Sequence, residues 1–203
     1  MKTPRLFFII AIIALIIGGT ACKGIGNKNT SSDDSTKVDT LWNAKVQDTF
    51  FDTKFGASRE EVINNFAKHG FTLNKSISND TWLVFDYNKS KYYTFGGIQW
   101  EILDVWLTDG KFSEIRFYAP QKDKAAVISR YEKIADELSK KYKLTNIEPE
   151  DTITYGIKKV FCKSGINSQI RCYRYESVGK EILYTAELRY GDTNIENKVS
   201  DEL

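Results

Sequence analysis

Residues 100–118 read WEILDVWLTDGKFSEIRFY, and this stretch decides the fold. Aromatic and β-branched residues dominate on both sides of Asp109-Gly110, a dipeptide that suits a hairpin turn because its residues tolerate positive φ. Two registers fit. A two-residue turn pairs Leu107 with Phe112 and mixes charged with apolar groups on both faces. A longer turn with Gly110 at a bulge pairs Trp106 with Phe112 instead. It gathers Leu103, Val105, Leu107, Ile115 and Phe117 on one face. Trp100, Asp104, Trp106, Phe112, Glu114, Arg116 and Tyr118 then share the other. A one-residue slip moves every side chain across a sheet, so the register that sorts polarity better is preferred.

Outward from the hairpin, helices and strands alternate in blocks. On its N-terminal side, Ser58 and Glu61 form a capping box, Val62, Ile63, Phe66 and Ala67 supply an apolar side, and Gly70 follows the last turn. Residues 81–87, TWLVFDY, read as a strand. On its C-terminal side, a helix is expected from about Asp123 to Lys143, with Ile128, Tyr131, Ala135, Leu138 and Tyr142 as its apolar stripe. Strands follow at 157–163, 168–176 and 181–190, the last alternating as a half-buried antiparallel strand does. The order is helix, strands, helix, strands. It predicts an α+β domain over 42–192, built as two helix-plus-antiparallel-strand halves, with a polar tail at 193–203. Glu114-Ile115-Arg116-Phe117 and Glu187-Leu188-Arg189-Tyr190 mark a faint repeat between the halves.

The N-terminus has a different chemistry. Lys2 and Arg5 precede a twelve-residue apolar run, Leu6 to Ile17. As a helix it would rise about 18 Å, short of a hydrocarbon core of about 30 Å. With Gly18, Gly19, Thr20 and Ala21 after it, residues 1–21 read as a signal peptide. The segment Gly18–Cys22 resembles a lipobox, with Gly19 where an aliphatic residue is usual. That resemblance implies that Cys22 becomes the lipid-bearing first residue of the mature protein. An ordinary secretory signal cut after Ala21 is the alternative. Removing the signal takes away Lys2 and Arg5 and brings the formal charge from +2 to zero. No basic stripe remains to recruit nucleic acid. Residues 22–41 are nearly all polar or glycine after the cysteine, and read as the lipidated Cys22 followed by a flexible tether. Ser31, Ser32, Asp33 and Asp34 within it resemble a displaced surface-export signal, against the plainer reading of a solvated spacer. The closing Ser200-Asp201-Glu202-Leu203 imitates a retrieval signal that a bacterial lipoprotein has no use for.

Two short motifs bring a family into view. Phe55-Gly56-Ala57-Ser58-Arg59-Glu60-Glu61-Val62 resembles the opening of small outer-membrane assembly lipoproteins, and Val105 to Ile115 resembles the hairpin that follows it there. The tandem layout is similar to the β-lactamase-inhibitor-protein fold. The resemblance implies helices packed on one face of a sheet, the other face free for a partner protein, and a binding module without catalysis. Both motifs also have structural reasons to exist, a helix cap and a hairpin turn.

The candidate sites follow from this frame. Trp100, Trp106, Phe112, Arg116 and Tyr118 are the residue types that dominate binding hot spots, and they share one face in the preferred register. The alternative is that the second helix, or the segment with Trp42, Phe50 and Phe51, covers them. Cys162 and Cys172 lie in neighbouring expected strands. A hairpin centred near Asn167 would set them opposite each other, at a spacing compatible with a disulfide outside the cytoplasm. Two free buried thiols are the alternative, and a metal or redox site fits the spacing poorly. Asp104 and Glu114 face each other in the preferred register near Arg116, an arrangement more often an ion pair than an acid pair for glycoside chemistry. His69, the single histidine, ends the first helix, where its charge suits the dipole. Gly96-Gly97 precede a strand and make no phosphate loop. No catalytic residue, metal or cofactor is expected.

The expected function is a lipid-anchored protein of the cell envelope, at the outer membrane in preference to the inner, that binds or scaffolds another envelope protein. Which side of the membrane it faces stays open. A surface-exposed glycan- or nutrient-binding lipoprotein is the alternative reading, and a hydrolase with an unrecognised carboxylate site is a further one.

Overall fold

A computed structural model describes residues 44–160 and 165–196. The expected signal peptide, Cys22, the expected tether, Cys162 and the last seven residues lie outside the described residues. In chain order the elements begin with β1 (Thr49–Phe50), β2 (Thr53–Lys54), α1 (Arg59–Lys68), β3 (Phe71–Leu73), β4 (Trp82–Tyr87), β5 (Tyr93–Phe95) and β6 (Ile98–Trp100). There follow β7 (Ile102–Thr108), β8 (Lys111–Tyr118), α2 (Lys124–Ser139), β9 (Leu144–Ile147), β10 (Thr154–Val160), β11 (Ile166–Glu176), β12 (Ile182–Asp192) and α3 (Thr193–Glu196).

The central hairpin resolves its register in a way the pattern alone does not offer. The turn is the tight one: Asp109 and Gly110 take φ of 50° and 69°, and Leu107 pairs with Phe112. Ser113 is then an extra residue, a bulge that restores the sorted faces from Trp106–Glu114 onward, in a register two residues away from the preferred Trp106–Phe112 pairing. Ser113 Oγ donates to the Trp106 carbonyl at 3.1 Å and accepts from Thr108 Oγ1 at 3.0 Å. The bulge sends Phe112 to the core, where it is fully buried beside Phe55 and Phe66. The chain entering α1 is bonded to it, Gly56 N to Phe112 O and Phe112 N to Ala57 O, both at 2.8 Å.

The expected α+β class of two helix-plus-strand halves is corrected. Strand makes up 46% of the structure against 20% for helix, and one antiparallel sheet dominates it. Its eight strands run β3-β4-β7-β8-β12-β11-β10-β9. The physical reason is the pairing of β8 with β12, which fuses the strands of both expected halves into one eight-stranded sheet over one core. The repeated motifs are that central pair: Phe117 faces Leu188, Arg116 faces Arg189 and Ile115 faces Tyr190. β1–β2 and β5–β6 form separate two-stranded ribbons.

α1 and α2 both pack on the sheet face that carries Ile115, Phe117, Leu188 and Tyr190. α1 begins with the capping box, Ser58 N donating to Glu61 Oε2 at 2.8 Å and Glu61 N to Ser58 Oγ at 3.3 Å, and it buries Val62 and Phe66. α2 is capped by Asp123, ends at Ser139 and buries Val127, Tyr131, Ile134, Ala135 and Leu138. Ile128, expected in that stripe, is exposed. The core between helices and sheet is rich in aromatic rings, with Phe95 stacked on Phe117 at 4.2 Å. Thr193–Glu196, expected as tail, form α3.

Candidate functional site

The sheet face turned away from α1 and α2 is the candidate site. Cross-strand pairing fixes its layout. One row across the sheet is Val84, Asp104, Arg116, Arg189, Gln169 and Lys159. Beside it run Trp82, Trp106 and Glu114 on one side and Tyr118, Glu187 and Arg171 on the other. Alternation at a period of two puts these charged and aromatic groups opposite the apolar set that meets the helices.

Asp104 is the pivot of the first group. It is 3% exposed, and its Oδ2 accepts from Trp82 Nε1 at 3.0 Å and from Tyr118 Oη at 3.1 Å. Its Oδ1 is buried and has no partner among the described residues. Burial pushes the Asp104 carboxyl up to about 6, against the pull of Trp82, Arg116 and Tyr118. The indole rings of Trp82 and Trp106 lie 6.0 Å apart, and the Arg116 guanidinium stacks on Trp106 at 4.9 Å.

Glu114 anchors the second group. Arg116 and Arg189 both donate to it, one to each carboxylate oxygen, and Arg189 also reaches Glu196 of α3 at 3.3 Å. Burial pushes the Glu114 carboxyl up, while the two guanidiniums pull it down. Glu187 is buried as well and accepts from Tyr173 Oη at 2.9 Å, and Arg171 lies over the Tyr173 ring at 5.0 Å. Asp104, Glu114 and Glu187 are thus buried on a sheet face that neither long helix covers, at a desolvation cost that their hydrogen bonds and ion pairs offset in part.

Of the five residues expected to form a partner patch, Trp106, Arg116 and Tyr118 come together on this face. Trp100 and Phe112 do not. Both are fully buried, Phe112 turned inward by the Ser113 bulge and Trp100 carried off the sheet by the β5–β6 ribbon. Trp100 donates to the Phe95 carbonyl at 3.0 Å. Asp104 faces Arg116 rather than Glu114. Trp82, Glu187, Arg189, Arg171 and Tyr173 join the site without having been singled out. The signal for two of them was present, since Glu187 and Arg189 alternate with Ala186, Leu188 and Tyr190 in the repeated motif.

Of the two cysteines expected to pair, Cys162 lies outside the described residues. Cys172 is a free, buried thiol whose neighbour in β10 is Gly156. Burial pushes the Cys172 thiol up to about 11, so it stays protonated and inert. His69 closes α1 and its Nε2 lies 2.7 Å from Asp52 Oδ2, a surface pair. Among the described residues no cluster of His, Cys, Asp and Glu is placed to hold a metal ion, and no helix is long and apolar enough to cross a membrane. The arrangement presents stacked aromatics with a guanidinium, and a buried carboxylate that accepts hydrogen bonds. Set against family models, curated proteins and solved structures, the chain matches none.

Proposed function

We propose that the protein is a lipid-anchored binding module of the bacterial cell envelope, which engages a partner protein through the helix-free face of its sheet and performs no catalysis. The observation that carries this reading is the group formed by Trp82, Trp106, Arg116 and Tyr118 around Asp104. Tryptophan, tyrosine and arginine with their polar atoms already positioned are the residues that concentrate binding energy in interfaces. Trp106 is the most open of them, at 36% exposure. The anchor rests on the signal-like N-terminus and Cys22, and the polar stretch after Cys22 supplies reach.

The test is cross-linked recovery from the native envelope. Wild type is expected to recover one protein, Trp106→Ala to lose it, and Ile128→Ala, on the exposed side of α2, to keep it. A wild type that recovers no protein but binds an oligosaccharide by calorimetry overturns the reading. So does turnover of a hydrolase substrate that Asp104→Asn abolishes. Cys22→Ser is expected to release the mature chain from membranes and to end lipid labelling; an unchanged membrane fraction refutes the anchor.

A further inference from the structure

α2 carries Arg130 and Lys133 one turn apart, a spacing that puts both on one side of the helix. They line a cleft of about 370 Å³ between α2 and the β5–β6 ribbon, together with Gly97, Gln99, Gln121 and Ser129. The Arg130 guanidinium lies over the fully buried Trp100 ring at 5.0 Å, which holds its plane in place. Its Nε and Nη2 are buried and have no acceptor among the described residues. These two nitrogens are the parallel edge of the guanidinium, the edge that grips an oxyanion with two bonds.

Among the described residues no carboxylate is bonded to Arg130 Nε or Nη2, although Glu137 lies one turn on from Lys133 and feels its charge. Glu132 is bonded to Lys158 at 3.3 Å and Glu137 to Lys140 at 2.6 Å. Burial draws the Arg130 guanidinium below its usual value, and the groups that push back are the hydroxyls of Tyr93 and Tyr92, not a carboxylate. The other polar liners, Gln99, Gln121 and Ser129, are neutral groups able to donate. A half-buried, oriented cation, a second cation beside it and uncharged donors around them make a cleft suited to an anion.

We propose that this cleft binds a phosphate group, gripped by the Arg130 guanidinium and neutralised further by Lys133. The phosphate can belong to a soluble ester or to a lipid headgroup, and both are recognised by the same chemistry. The site lies apart from the partner face and does not depend on it.

The full chain carrying Cys22→Ser, so that no lipid contributes, is titrated at constant ionic strength with two probes: inorganic phosphate, and vesicles of phosphatidylglycerol against vesicles of phosphatidylcholine. Saturable binding of phosphate assigns a soluble ester, and binding to phosphatidylglycerol vesicles alone assigns a headgroup. In either case Arg130→Gln is expected to weaken binding at least tenfold, Lys133→Gln severalfold, and Arg174→Gln, an exposed cation elsewhere, not at all. Arg130→Lys keeps the charge without the parallel edge and is expected to fall between wild type and Arg130→Gln. Unchanged thermal midpoints establish that the variants are folded, and Lys133, being exposed, can be changed without touching the core. The proposal is overturned if neither probe saturates, if binding survives Arg130→Gln, or if Arg174→Gln weakens it as much.

Discussion

Arg116 and Arg189 stand directly opposite each other on the two central strands, and both donate to Glu114. Like charges facing across a strand pair are destabilising by themselves. The shared carboxylate makes the pairing tolerable, and so lets β8 and β12 close the sheet. Glu114→Gln leaves two part-buried guanidiniums against each other and is expected to cost about 3 kcal/mol, the usual penalty for orphaning one side of a buried ion pair. Urea unfolding measures it. Adding Arg189→Gln to Glu114→Gln is expected to restore part of the loss, and a double variant no more stable than the single one would show that repulsion is not the cause.

The buried Asp104 links pH to stability. Its carboxyl titrates near 6 in the folded chain against 3.8 ordinarily, so between those values the folded state holds the proton that the unfolded state has lost. Stability therefore falls as pH rises through that window, with the full penalty, on the order of 2–3 kcal/mol, present above it. Asp104→Asn keeps an oxygen for Trp82 and Tyr118 but has nothing to titrate. Its unfolding free energy is expected to be flatter than that of wild type between pH 4 and pH 6. Parallel curves for the two proteins would refute the assignment.

Trp106 and Phe112 were read from sequence as members of one patch, and the Ser113 bulge separates them. Phe112→Ala empties a fully buried ring site and is expected to cost about 3–5 kcal/mol. Trp106→Ala, at the open face, is expected to cost about 1 kcal/mol or less while losing the partner. Chemical denaturation of both variants checks the division. Equal losses of stability would place Trp106 in the core as well.

Much of this architecture was legible in the residues. Ser58 and Glu61 announced a cap, Asp109-Gly110 announced a turn, and the alternation in β7, β8 and β12 separated the two faces. What escaped the pattern has physical causes. A bulge changes register at one residue, and Ser113 carries no periodic mark. Trp100 alternates in step with Trp106, yet β6 pairs with β5 and not with the main sheet. Ile128 fits a helical stripe as well as Val127 does, and only the direction in which α2 lies on the sheet chooses between them. The joining of β8 to β12 is a long-range event that local propensity does not encode, although the repeated Glu-x-Arg pair hinted at it. For the site, Trp106, Arg116 and Tyr118 were visible because they lie next to a strong turn signal, whereas Trp82, Tyr173 and Arg171 are brought to them only by strand order.

Gly156 illustrates a constraint visible only in three dimensions. It sits in β10 where the register with β11 shifts, and a methyl group there would lie 2.9 Å from Cζ and Oη of Tyr131. Tyr131 is buried on the sheet side of α2 and the Lys158 ammonium lies 5.4 Å from its ring, so it has little room to yield. Gly156→Ala is therefore expected to lose about 1–3 kcal/mol through overpacking, despite the better strand propensity of alanine. Trimming the ring should relieve the clash, so Gly156→Ala combined with Tyr131→Leu is expected to lose less than the sum of the two single changes. Thermal or urea unfolding of the four proteins in that cycle measures the coupling. Strict additivity would mean that glycine at 156 serves the β10–β11 register alone and that α2 could sit on the sheet without it.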